Sequence, residues 1–158
     1  MTTSFVTDIE SNVRSSMIRV LNQQLADAID LKLALKQAHW NVRGSEFIAL
    51  HELFDQVAAR IEEHSDTMAE RVVQLGGLAA GTTQSVAQAT TFEPYPVEVT
   101  TQKQHLEALR ARLGGLAKSC RKAIDEANQA GDADTADIMT GVSRAVDKDL
   151  WFVAAHLE

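Results

Sequence analysis

The 158-residue chain carries 22 acidic and 15 basic residues, a net charge of −7, and 45% of it is hydrophobic. That length suits one domain with a full core, and the composition is that of a soluble globular protein. The acidic balance speaks against a nucleic-acid binder and suits a protein that handles cations.

Residues 1 to about 9 read as a loose N-terminal arm, with no basic region and apolar core of a secretory signal. A first helix is expected from Glu10 to Ala38, with Val13, Met17, Leu21, Leu25 and Ile29 inward. It ends in HWNVRG, where Asn41 and Gly44 allow a turn. The second helix is expected across Ser45–Gly77, with Ser45 as N-cap, Glu46 at the dipole-favoured start, and Gly76-Gly77 as the stop. Its apolar residues Phe47, Leu50, Phe54, Val57, Ile61, Met68, Val72 and Leu75 recur at three- and four-residue steps.

Leu78 to Pro96 is a long connection, with a short helix expected near Thr83–Ala89 and an extended segment at Pro94-Tyr95-Pro96. A third helix covers Thr100 to Ala130, with Leu106, Leu109, Leu113, Leu116, Cys120 and Ile124 inward and an interruption at Gly114-Gly115. Cys120, the single cysteine, excludes an internal disulfide; it reads as a core residue and fits the cytoplasm. Asp132 or Asp134 caps a fourth helix to about His156, with Ile138, Val142, Ala145, Leu150 and Val153 as its apolar positions. Two helix pairs joined by one long crossover describe an all-α, ferritin-like four-helix bundle, a single domain over residues 1–158. No window approaches about 18 uninterrupted apolar residues, so no membrane span is expected.

The second helix carries four metal-capable residues, His51, Asp55, Asp66 and Glu70. At 100° per residue they fall within a face of roughly 100°. His51/Asp55 and Asp66/Glu70 are i,i+4 pairs, and either pair can offer two ligands to one ion. The pairs cannot share an ion, because Asp55 and Asp66 stand ~16 Å apart along the axis. Their spacing is a palindrome: the pairs 51/70 and 55/66 share a midpoint between Arg60 and Ile61. A second copy packed antiparallel about that point would set His51 against Glu70 of the partner subunit and Asp55 against Asp66 of the partner subunit. Two-fold symmetry then builds two equivalent sites, each with imidazole and carboxylates suited to iron, manganese or zinc. Taken singly, each pair also reads as an ordinary solvated helix face.

Ferritin-like di-iron bundles ordinarily hold metal within one subunit through Glu-x-x-His motifs. Three residues before His39, His51, His64, His105 and His156 stand Lys36, Ile48, Ile61, Gln102 and Val153, so the motif is absent. Either the bundle holds no metal, or it holds metal by another arrangement, such as the intersubunit one.

KQAHWNVRG, the Ala49-Leu50-His51-Glu52-Leu53 run, DTMAERVVQLGG and the terminal ADIMTGVSRAVDKDLWFVAAHLE resemble the Dps family, mini-ferritins known as DNA-binding proteins from starved cells. The resemblance spans Ser16 to Leu157. It implies metal ligation by His39, His51 and Asp55 of one subunit with Asp66 and Glu70 of the partner subunit. It also implies a hollow cage of twelve subunits. There Fe(II) is oxidised to Fe(III), with hydrogen peroxide as favoured oxidant, and stored as mineral. Trp40, next to His39, reads either as a sacrificial electron donor or as a packing tryptophan. The resemblance makes Asp137 a candidate for an iron-admitting three-fold pore, and Glu52 and Glu63 candidates for the cavity wall. His64, His105 and His156 read as surface or packing histidines.

Direct DNA binding is expected to be weak or absent. Residues 1 to 16 hold no lysine and one arginine, Arg14, against Asp8 and Glu10; a lysine-rich arm is what would neutralise phosphates. A nucleoid-compacting structural protein is the alternative function, and a bundle without metal chemistry is a third.

Overall fold

The computed structural model describes residues 3–158. Five helices make up the fold: α1 (Ser11–Asn41), α2 (Phe47–Gln74), α3 (Thr83–Ala89), α4 (Gln102–Ala130) and α5 (Ala133–Ala155). Among the described residues there is no strand, only an isolated parallel bridge between Arg43 and Thr101. The short helix α3 stands at the residues expected for it.

Each long helix buries one stripe. In α1, Met17, Val20, Leu21, Gln24, Leu25, Ala28, Leu31, Leu35 and Ala38 lie inward at three- and four-residue spacing. Met17, Val20, Leu21, Ala28, Leu31, Leu35 and Ala38 meet Leu50, Phe54, Val57, Ile61 and Met68 of α2 and Leu106, Leu109, Leu113 and Leu116 of α4 in one continuous core. α1 pairs with α2 and α4 with α5, and α1–α4 and α2–α5 contacts close the bundle. Cys120 is fully buried, as expected of a core residue.

The crossover from α2 to α4 follows α1 along its length. Asn22 donates to the Leu78 carbonyl (3.1 Å) and accepts from the Ala80 amide (2.9 Å). Further on, the buried Asp27 carboxylate accepts from the Thr91 amide (2.7 Å) and hydroxyl (3.1 Å). At the far end the Arg43 amide donates to the Thr100 carbonyl (2.9 Å) and the Gln102 amide to that of Arg43 (3.2 Å). The start of α4 is thereby stitched to the α1–α2 turn.

Four expectations about helix ends, helix continuity and the N-terminal segment change. First, α1 runs on to Asn41, three residues past Ala38. Second, Glu46, not Ser45, occupies the N-cap of α2, without a side-chain cap. A tertiary partner replaces the local one: Gln102 Oε1 accepts from the Glu46 amide at 3.2 Å. Gly44 makes room for it, with φ 149°, and a Cβ there would lie 2.1 Å from Gln102 Oε1.

Third, α4 is continuous through Gly114-Gly115. The ring edge of Phe92, on the crossover, approaches Gly115, where a Cβ would lie 3.1 Å from it. Fourth, the segment expected to be a loose arm is tied down over its described part. The Phe5 and Val6 amides donate to the Gln74 carbonyl (3.1 and 3.3 Å), satisfying an end of α2. Residues 1 and 2 lie outside the described residues.

A buried strut joins α2 to the start of α5. Arg71 (4% exposed) donates to Asp132 (1% exposed) at 2.7 Å, and Asp132 also accepts from the Thr135 amide at 3.0 Å as the N-cap of α5.

Candidate metal centre

His39 stands in the last turn of α1 and His51 near the start of α2, so the short turn between them brings the two side by side. Their rings stack with centroids 3.7 Å apart and 21° between planes. His39 Nδ1 lies 2.7 Å from the His51 carbonyl oxygen, and His51 Nδ1 lies 2.8 Å from the His39 carbonyl oxygen. A carbonyl only accepts, so each Nδ1 is the donor, and the neutral ring in that tautomer presents its lone pair at Nε2. Holding a histidine by one nitrogen leaves the other free for a metal.

Asp55, one turn beyond His51, is exposed. Lys36 Nζ lies 2.5 Å from its Oδ1. The hydrogen bond from Lys36, supported by its charge and by His39 and His51, holds the Asp55 carboxyl below the usual carboxylate range. The ammonium also lies 5.8 Å from the centroid of the exposed Trp40 ring. Phe47, expected in the inner stripe of α2, is instead 40% exposed, its ring 5.2 Å from that of His51.

Asp66 and Glu70 are exposed at the opposite half of α2. Asp66 borders a groove of about 370 Å³ with Ile29, Lys32 and Glu62. Glu70 borders one of about 500 Å³ with Phe5, Ala69, Val73 and Ala79. Among the described residues, no three His, Cys, Asp or Glu side chains of one chain converge as a metal site. His39 and His51 meet at the start of α2, with Asp55 one turn beyond His51, and Asp66 and Glu70 lie toward the other end of the helix. Helix α2 itself, Phe47 to Gln74, has the same midpoint as the ligand pairs, between Arg60 and Ile61.

The remaining candidates lie elsewhere. His64 is half-buried beside Arg60 and the buried Asp149. His105 is fully buried and meets the Tyr95 hydroxyl. His156 is exposed, 3.3 Å from Glu46. Glu52, Glu63 and Asp137 are exposed on α2 and α5. Burial pushes the Cys120 thiol up to about 12, which leaves it an inert packing group.

Sequence reasoning missed Lys36. Its signal was present: Lys36 occupies the position three residues before His39 where a Glu-x-x-His motif would carry a carboxylate. A cation there faces whatever the site binds.

A ferritin-like domain model matches residues 18–158. The chain is 50% identical over 151 residues to the DNA protection during starvation protein of Agrobacterium fabrum, covering 96% of this chain and 93% of the relative. Among solved structures it is similar to Mycobacterium smegmatis Dps in a tetragonal form, with TM-score 0.95, 33% identity, and coverage of 100% of this chain and 95% of that one. DpsC from Streptomyces coelicolor matches with TM-score 0.95 and 33% identity, covering 100% and 92%.

Proposed function

The chain belongs to the Dps family of ferritin-like proteins, and on that premise we propose that it is an iron-oxidising, iron-storing mini-ferritin. Fe(II) and hydrogen peroxide are its substrates, and its sites form between two-fold-related subunits of a twelve-subunit cage. His39, His51 and Asp55 bind iron from one side, and Asp66 and Glu70 of the partner subunit bind it from the other. Two Fe(II) ions each give one electron to a peroxide, whose O–O bond breaks as two protons are taken up, leaving two Fe(III) and two waters. Carboxylates stabilise the harder Fe(III), and imidazoles retain Fe(II). The ferric product is stored in the cavity, and removing both reactants suppresses hydroxyl-radical formation in the cytoplasm.

The observation that carries this reading is the reciprocal His39–His51 bonding through Nδ1, which leaves the two Nε2 atoms available to a metal, one turn from Asp55. The palindrome of α2 supports the intersubunit geometry and extends beyond the ligands. Exposed Ile48 and Val73 share the same midpoint, so the two-fold that joins the ligands also covers apolar surface. Trp40 serves as electron donor or as interface packing in this arrangement. Anaerobic titration with Fe(II), followed by peroxide, tests the proposal: the expected stoichiometry is two Fe(II) consumed per peroxide. Absence of peroxide consumption would refute it.

The relatives' name points to DNA. The net charge of −7 supports weak or no direct binding by this chain at neutral pH. A plasmid mobility shift with purified protein at moderate salt would favour the nucleoid-compacting alternative.

A further inference from the structure

Tyr95 and His105 make a polar contact that the metal centre does not use. The Tyr95 hydroxyl lies 2.7 Å from His105 Nδ1, with the rings 6.1 Å apart and nearly parallel at 10°. His105 is fully buried; its Nε2 lacks a well-formed hydrogen bond, and the ring also interacts with the backbone of Val99. Arg112 lies 5.3 Å from the centroid of the Tyr95 ring, and its guanidinium also donates to the Glu93 carbonyl. Burial keeps the imidazole neutral by pushing it below its usual range, and burial pushes the Tyr95 phenol well above its own. With the ring neutral and protonated at Nε2, the phenol donates and Nδ1 accepts.

Such a pair cannot readily ionise, because phenolate is disfavoured by burial. It can lose an electron if the phenolic proton moves to the waiting imidazole in the same event. The pair also sits at the relevant end of the bundle. Its segment rejoins the α1–α2 turn through the Arg43–Thr100 and Glu46–Gln102 bonds, the turn that carries His39 and His51 on either side.

We propose that Tyr95 and His105 form a proton-coupled one-electron redox site that quenches oxygen-centred radicals produced when peroxide meets Fe(II). The role of iron rests on the proposed function; the redox pair itself does not. In the first step Tyr95 gives an electron to a hydroxyl radical, which becomes hydroxide, while the Oη–H bond breaks and the proton passes to His105 Nδ1. In the second, Fe(II) gives an electron to the phenoxyl radical and the proton returns to Oη. The net change is one Fe(II) and one hydroxyl radical converted to Fe(III) and hydroxide.

Tyr95 is the single tyrosine, so any phenoxyl signal belongs to it. In the iron-free arm, the assembled protein is oxidised by azide radicals in pulse radiolysis. The wild type is expected to give a phenoxyl absorption and electron paramagnetic resonance signal, with a solvent deuterium isotope effect on its formation. Tyr95→Phe abolishes the signal, and His105→Gln lowers its yield several-fold although the phenol remains. No phenoxyl in the wild type, or equal yield in His105→Gln, overturns the pair. In the iron arm, Fe(II)-loaded protein is mixed with peroxide and spin-trapped. Tyr95→Phe is expected to release several-fold more hydroxyl adduct at an unchanged iron-oxidation rate; equal adduct overturns the quenching role. If neither protein oxidises iron, the proposed function fails while the azide arm still decides the pair.

Discussion

Lys36 Nζ lies 2.5 Å from Asp55 Oδ1, so a carboxylate proposed to receive iron already holds a cation. Binding a metal there must displace the ammonium, because two cations on one oxygen repel. Lys36→Met is therefore expected to tighten binding of Zn(II) or Co(II), used as redox-inert probes, by about ten-fold. Calorimetric titration of the assembled protein measures it. Unchanged affinity would show that Lys36 swings aside at no cost.

The same bond governs the acid limit of the site. Asp55 is held below its ordinary 3.8 by Lys36. A depressed carboxyl contributes stability that is present above its unfolded value and lost as pH falls through the folded one. The Lys36–Asp55 pair is thus expected to persist through mildly acidic pH and to open only below about pH 4. The Asp55 carboxylate resonance, followed by NMR against pH, is expected to titrate below 3.8 in the wild type and to move up in Lys36→Met.

If the sites are shared between subunits, mixing two dead variants restores some of them. His51→Ala and Asp66→Asn homo-oligomers are each expected to lose most iron oxidation. Co-assembled at equal amounts, half the two-fold pairs are mixed, and each mixed pair holds one intact site. Activity is then expected to recover to about one quarter of wild type. No recovery in verified mixed cages would place both residues in the same subunit's site.

The Arg71–Asp132 strut is almost wholly buried, at 4% and 1% exposure. Removing Asp132 leaves the buried Arg71 with Thr135, Gln74 and the exposed carboxylate of Asp134, 3.8 Å away, as its polar partners. Asp132→Ala also removes the bond to the Thr135 amide that caps α5. A loss of about 3–5 kcal/mol in unfolding free energy is expected, read by denaturant titration. A loss below 1 kcal/mol would show that water replaces the carboxylate.

His64 is held below its ordinary 6.5, chiefly by burial, against the pull of Asp149 and Glu63. Its folded form binds fewer protons than the unfolded chain below that pH. Stability from the neutral ring is therefore present above about pH 6.5 and is lost as pH falls toward the folded value. His105, depressed by burial too, adds to the same slope. The melting temperature is expected to fall between pH 7 and pH 5, and less steeply in His64→Gln. An equal slope in the variant would assign the sensitivity to other groups.

Much of the architecture was legible because helices announce themselves locally. The three- and four-residue stripes of α1, α2, α4 and α5 follow from 3.6 residues per turn, and the cap at Asp132 acts within three residues of itself. The errors arose where a distant partner took over a local role. Gln102 accepts from the amide at the start of α2, and Phe92 fills the surface at Gly115.

By itself the sequence determined the helices, the long crossover and the spacing of His51, Asp55, Asp66 and Glu70 along one helix face, since rise and angle per residue are constants of the α-helix. Only the tertiary structure decided what each group touches. The crossed His39–His51 bonds, the lysine on Asp55 and the phenol on His105 join residues 12, 19 and 10 positions apart. No local periodicity reports such contacts, because they depend on how helices and crossover pack, and packing is decided by the whole core at once.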